Sequence, residues 1–265
     1  MVLHLIGLGL TKESVGINAF NQIKSADFVF LEHYTGVLPD SKEELENFFG
    51  KQIIFADRNL VESKAEEILL KAKNRSVCFL VVGDVFGATT HTDLFLRAKK
   101  NDIRVKVYHN ASIMNAISST GLELYRFGKT VSLTFEEYGL SKSSYESIKK
   151  NKEIGLHTLC LLDIKVAEPS IQNLRKGIDK PEPPRFMNIN EACKLILRME
   201  KEFGQKVFSE KDLAIGVARL GFEDQVIKKG TLRELSSFDF KKPLHCLVIP
   251  GKINHYEAEF IEILP

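Results

Sequence analysis

One apolar run constrains this chain more than any other feature: Val77-Cys78-Phe79-Leu80-Val81-Val82, entered from Ser76 and left at Gly83. It is too short for a core helix, and its β-branched and aromatic content suits a strand covered on both faces. Such strands belong to parallel sheets, whose members are joined by crossovers rather than hairpins. The surrounding residues supply the partners. Val2 to Gly7, Asp27 to Leu31, Gln52 to Ala56 and Arg104 to Tyr108 read as further strands. Between them come helical patterns: a stretch opened by Ser14 with apolar residues at Val15, Ile17, Ala19, Phe20 and Ile23, and the capping-box sequence Ser41-Lys42-Glu43-Glu44, stopped at Gly50. Val61, Ala65, Ile68, Leu69 and Ala72 then mark one helix face, and Thr90 to Lys100 a last helix. Strand and helix alternate with short connections, which predicts an α/β domain with right-handed crossovers.

The second half is patterned differently. Val131 to Phe135 and Thr158 to Leu162 read as strands with one helix between them, and Lys180 to Arg185 contains three prolines that exclude the interior of a regular element. Ala192, Leu195, Ile196, Met199 and Phe203 predict a helix closed by Gly204, and Asp212 to Ala218 and Leu244 to Ile249 are further strands. The expectation is two domains, 1–120 and 121–265, the second α+β in character, within a 265-residue chain.

Lys plus Arg (37) against Asp plus Glu (35) leaves a net charge of +2, too balanced for a protein held to nucleic acid by a basic surface. No apolar run approaches the about 20 residues of a membrane span, and no signal peptide is visible before Gly7. Cys78, Cys160, Cys193 and Cys246 are scattered and read as buried thiols of a reducing compartment, so a cytoplasmic enzyme is expected. The seven histidines form no metal-ligand spacing, and neither a G-x-S-x-G elbow nor a P-loop is present.

Three strand ends carry the chemistry. Gly7-Leu8-Gly9-Leu10 has the G-x-G of a dinucleotide turn without its third glycine, with an acidic residue following at Glu32. Gly83-Asp84-Val85-Phe86-Gly87-Ala88-Thr89-Thr90-His91 leaves the buried strand through two glycines that let a ligand approach the backbone; Asp84 offers acceptor oxygens, and Thr90 with Asp93 predicts a capped helix start. His109-Asn110-Ala111-Ser112-Ile113 follows the next strand, with Asn110 and Ser112 both eligible as caps. Each loop also reads as an ordinary tight turn. From the residues alone, ligand binding and turn formation both stay open.

These strings, extended as Leu5-Ile6-Gly7-Leu8-Gly9-Leu10, Val81-Val82-Gly83-Asp84 and Ser112-Ile113-Met114-Asn115-Ala116, resemble those of the diphthine synthases, eukaryotic type, in the tetrapyrrole-methylase-like superfamily. So do His157 to Lys165, Pro183 to Met187, Gly216-Val217-Ala218-Arg219, Gly230-Thr231-Leu232 and Pro243-Leu244-His245, in the same order along nearly the whole chain.

The resemblance implies two α/β domains of the class III methyltransferase fold, with a mainly parallel N-terminal sheet and a mixed C-terminal one. It implies a homodimer with S-adenosylmethionine folded into a cleft between the domains, S-adenosylhomocysteine as by-product and no metal. The implied substrate is elongation factor 2, whose 3-amino-3-carboxypropyl-histidine is methylated on its amine, and in eukaryotic members also on its carboxylate. The family's cofactor contacts fall on Leu10, Asp84, Gly87, Ser112, Ile113, Leu162, Leu220 and His245. No catalytic residue is implied; Tyr34, Phe86 and Tyr125 are aromatic candidates for meeting a trimethylammonium. The family's usual proline after Gly-Asp is Val85 here, which implies a looser loop. A cofactor-binding relative without turnover, and an enzyme acting on a tetrapyrrole, are the alternatives.

Overall fold

The computed structural model describes residues 2–166, 173, 175–177, 180 and 182–265. The chain divides into two compact units, Met1–Met114 and Asn115–Pro265.

The first unit is a five-stranded sheet in the order β3-β2-β4-β1-β5, formed by β1 (Val2–Gly7), β2 (Phe28–Glu32), β3 (Ile54–Ala56), β4 (Ser76–Val81) and β5 (Arg104–Tyr108). Every neighbouring pair is parallel, with Gly7 opposite Val81 and Ile6 opposite Tyr108. The run that set the expectation is β4, and Val77 to Val81 are all 0% exposed, as a strand covered on both faces requires. Helices α1 (Ile17–Ser25) and α2 (Lys42–Phe49) pack Ala19, Ile23, Leu45 and Phe49 against Ile6, Val29, Leu31, Cys78 and Leu80. Helices α3 (Glu66–Asn74) and α4 (Thr92–Lys100) carry the chain back in the opposite direction, so right-handed crossovers put them on the other face. The Ser41–Glu44 capping box is formed, and Gly50 ends α2 in the left-handed region (φ 62°).

Two local expectations shift. Ser14 does not open α1: residues Lys12–Ser14 make a 3-10 turn, Gly16 precedes the helix, and Ile17, expected inside, is 77% exposed. Thr90 does not cap α4 either; the cap position falls on His91. The His91 ring is wedged edge-on against Phe79 and Tyr34 and makes no capping bond, while the Thr90 hydroxyl turns toward Glu62 (3.5 Å).

The second unit has a mixed sheet in the order β11-β10-β12-β7-β6, from β6 (Val131–Leu133), β7 (Thr158–Leu162), β10 (Leu213–Ala218), β11 (Val226–Thr231) and β12 (His245–Ile249). Only β6 and β7 are parallel; β7, β12, β10 and β11 alternate in direction. A two-stranded ribbon joins β8 (Ile164–Lys165) to β9 (Arg185–Phe186). The core is built from α6 (Lys142–Glu153) and α7 (Ile189–Phe203), whose Tyr145, Ile148, Ala192, Ile196 and Met199 cover the sheet. Among the described residues β8, β9, β11, the short α8 (Leu232–Leu235) and α9 (His255–Ile263) have no counterpart in the expected pattern. Among the described residues of this unit, the helix starts at Asn188/Glu191, Thr231/Glu234 and Asn254/Glu257 are also capping boxes. A search for N-x-x-E and T-x-x-E would have located them.

Candidate active site

The strand order decides the geometry. The connections after β1 and β4 leave in opposite directions, so the gap between their carboxyl ends is a switch point, where open α/β sheets take ligands. Because β1 lies between β4 and β5, the three candidate loops share that end of the sheet. They interlock through main chain: Gly9 and Gly83 exchange N–H···O bonds of 3.0 and 2.8 Å, and the Leu8 amide donates to the Val81 carbonyl at 2.8 Å. Gly9 and Gly83 have φ of 79° and 83°, which a residue with a Cβ rarely adopts. A Cβ on Gly87 would stand 2.6 Å from the Ser112 hydroxyl, so the β4 and β5 loops touch there.

Asn110 and Asp84 fasten this junction. The Asn110 side-chain amide donates to the carbonyls of Gly7 (3.1 Å) and Ser14 (2.9 Å), so it is a strut into the β1 loop rather than a helix cap. Ser112 does take a capping place: its hydroxyl accepts from the Met114 amide (3.2 Å) at the start of α5 (Ile113–Ala116). The Asp84 carboxylate accepts from the amides of Phe86 and Asn110 and from His109 Nδ1, each at 3.0 Å. Burial opposes its ionisation, but these donors outweigh burial and hold the carboxyl below its ordinary range. Val85 is fully buried and the Thr89 hydroxyl donates to its carbonyl at 2.6 Å, which ties down the loop that its sequence made look loose.

Leu10, Asp84, Gly87, Ser112 and Ile113 are thus brought to one end of the first sheet, Ser112 buried and Leu10 and Ile113 half-buried. Glu32 is not available to a ribose. Its carboxylate is 1% exposed and takes the amides of Tyr34 and Thr35 and the Thr35 hydroxyl, which removes the acidic partner of a dinucleotide reading. Of the aromatic candidates, Tyr34 is buried, whereas Phe86 and Tyr125 are exposed.

In the second unit Leu162 ends β7, His245 begins β12 and Leu220 lies just past β10. The registers Cys246–Leu161 and Ala218–His245 put the three at one end of the neighbouring strands β7, β12 and β10. His245 Nε2–H donates to the Lys242 carbonyl at 2.8 Å. Its Nδ1 is buried and has no partner among the described residues. Burial, reinforced by the Arg219 charge, lowers the His245 pKa, so the ring is a neutral imidazole with a bare acceptor nitrogen. A buried acceptor left unpaired costs about 1–3 kcal/mol, and an exocyclic amine, such as that of adenine, would satisfy it. Taken by itself, the orphan acceptor fits the exocyclic amine of an adenosyl group. Sequence reasoning alone had no access to the orphan, which exists only because β12 is buried. Among the described residues no group of three or more His, Cys, Asp or Glu side chains converges as a metal site, and no helix is long and apolar enough to cross a membrane.

A parallel unit with glycine loops at its switch point, followed by a mixed-sheet unit, is the architecture of the class III methyltransferases. The family model for tetrapyrrole (corrin/porphyrin) methylases matches residues 2–236. The diphthine methyl ester synthase of Dictyostelium discoideum is 49% identical over 99% of this chain and 97% of its own. That of Saccharomyces cerevisiae is 48% identical over 98% of this chain and 88% of its own. A crystal structure of diphthine synthase superposes with a TM-score of 0.85 at 31% identity, covering 99% of this chain and 95% of that one. The chain belongs to the tetrapyrrole methylases and, within them, to the diphthine methyl ester synthase family. It is a methyltransferase.

Proposed function

We propose that the chain methylates the 3-amino-3-carboxypropyl-histidine of elongation factor 2, first on the amine and then on the carboxylate, giving diphthine and its methyl ester. The observation carrying this reading is the match to diphthine methyl ester synthases along almost the whole chain, at 48–49% identity. S-adenosylmethionine supplies an activated methyl group when bound. Leu10, Asp84, Gly87, Ser112 and Ile113 of the first unit and Leu162, Leu220 and His245 of the second hold it. Gly87, half-buried and without a side chain, lets the ligand approach the main chain, and His245 Nδ1 accepts from its amine. Positioning is the main contribution asked of the protein, and holding two reactants in register is worth about 7–11 kcal/mol in favourable cases. An anionic carboxylate needs no deprotonation, whereas an ammonium must first lose a proton. A homodimer acting in the cytoplasm completes the proposal.

The test is to incubate the protein and S-adenosylmethionine with elongation factor 2 carrying the carboxypropyl group, and to weigh the product. Whole CH2 increments at that histidine are expected; unchanged mass alongside measurable cofactor binding overturns the substrate assignment.

A further inference from the structure

The Asp84–His109 pair does more than close a turn. His109 is the first residue after β5, and 70% of its side chain is open to solvent, while Asp84 beneath it is 16% exposed. The carboxylate is held ionised by the amides of Phe86 and Asn110, so it only accepts hydrogen bonds. Its Oδ2 lies 3.0 Å from His109 Nδ1. The proton of the neutral imidazole must therefore sit on Nδ1, which leaves Nε2 a lone pair that accepts no hydrogen bond among the described residues, on a side chain largely open to solvent. A histidine oriented by a half-buried, hydrogen-bonded carboxylate in this way is the arrangement of a general base. Beside it stands Phe86, 39% exposed, with ring centroids 6.2 Å apart. An aromatic face there suits a nitrogen that becomes permanently cationic.

We infer that His109 is the catalytic proton acceptor for the amine methylations, an assignment that rests on the function proposed above. In each round Nε2 takes one proton from the substrate ammonium: an N–H bond breaks, an imidazole N–H bond forms, and the electron pair stays on the amine nitrogen. That pair makes the new N–C bond as the donor's C–S bond breaks, its electrons remaining on sulfur. The imidazolium returns the proton to bulk water, which its exposure permits. Three protons leave over three rounds, one per methyl. Carboxylate methylation releases none and has no use for His109.

This difference supplies the test. His109→Gln keeps the size and one acceptor but cannot carry the proton. On elongation factor 2 bearing the unmethylated group, the variant is expected to slow amine methylation about a hundredfold or more, with partial recovery in added imidazole. On substrate whose amine is already trimethylated, carboxylate methylation by H109Q is expected to fall at least tenfold less than amine methylation does. Titration with S-adenosylhomocysteine reads cofactor affinity separately, and 15N NMR of the parent protein should show the Nδ1–H tautomer at His109. Equal loss of both methylations makes His109 a loop-positioning residue and overturns the inference; so does unchanged amine methylation, or an Nε2–H tautomer. A parent protein that binds cofactor but methylates neither group sinks the functional reading and the base assignment together.

Discussion

Gly7→Ala tests the interlocked loops directly. Gly7 does not need a left-handed backbone, so the substitution adds only a methyl group. That methyl would stand 2.6 Å from the Gly83 carbonyl oxygen, 3.1 Å from Asp84 Cα and 3.2 Å from Asn110 Cβ. Ordinary contact begins near 3.4 Å, so the β4 end must retreat about 0.8 Å, and its nearest atoms are main chain with no rotamer to yield. Overpacking of this kind costs about 1–3 kcal/mol. At about 2–4 °C per kcal/mol for a chain near this size, thermal denaturation should fall by about 2–12 °C. The displacement also pulls on the Gly9–Gly83 pair and the Asn110 strut, so affinity for S-adenosylhomocysteine should drop about tenfold or more by calorimetry, equivalent to about 1.4 kcal/mol. A Gly7→Ala protein with parental melting and parental affinity would refute the reasoning, because the three loops could not then meet as described.

Asp84→Asn should destabilise by about 1–3 kcal/mol, since one of its two acceptor positions would present an N–H to a donor. The parent carboxyl is held low, so its contribution is present above the ordinary aspartate range and fades as pH falls through the lowered value; denaturation between pH 5 and 2 should be flatter in Asp84→Asn. Glu257, fully buried, accepts from Arg126, from His157 Nε2 (2.9 Å) and from the amides of Glu123 and Asn254. Glu257→Ala should therefore cost about 3 kcal/mol or more by urea denaturation, and a loss under about 0.5 kcal/mol would contradict the pairing. All four cysteines are buried, and burial pushes the thiols of Cys78, Cys193 and Cys246 up to about 12. A thiol reagent should accordingly label none until the chain is denatured; rapid labelling of the native protein would show that one is accessible.

Much of this molecule is written locally. The runs at β1, β4 and β5, the glycines that follow β1 and β4, and the Ser41 capping box form where their own residues favour them. Elements whose local signal is mixed were illegible. β11 is an edge strand carrying Lys228, Lys229 and Gly230, which suits a half-exposed edge but imitates a loop. α9 buries little besides Glu257 and Ile261, so its apolar stripe is too thin to read. The candidate site was partly legible: the loops stood out as glycine-rich strand ends, but their partners did not.

By itself, then, the sequence determined the strands of the first sheet, the glycine turns that follow β1 and β4, and which family's motifs the chain carries. Only the tertiary structure decided that β1 lies between β4 and β5, and with it that Asn110 is a strut instead of a cap and that Asp84 grips His109. The physical reason is range. Backbone preference and capping act over a few neighbouring residues, whereas the bonds joining Gly9 to Gly83, Asn110 to Gly7 and Asp84 to His109 exist only after strands far apart in the chain have paired.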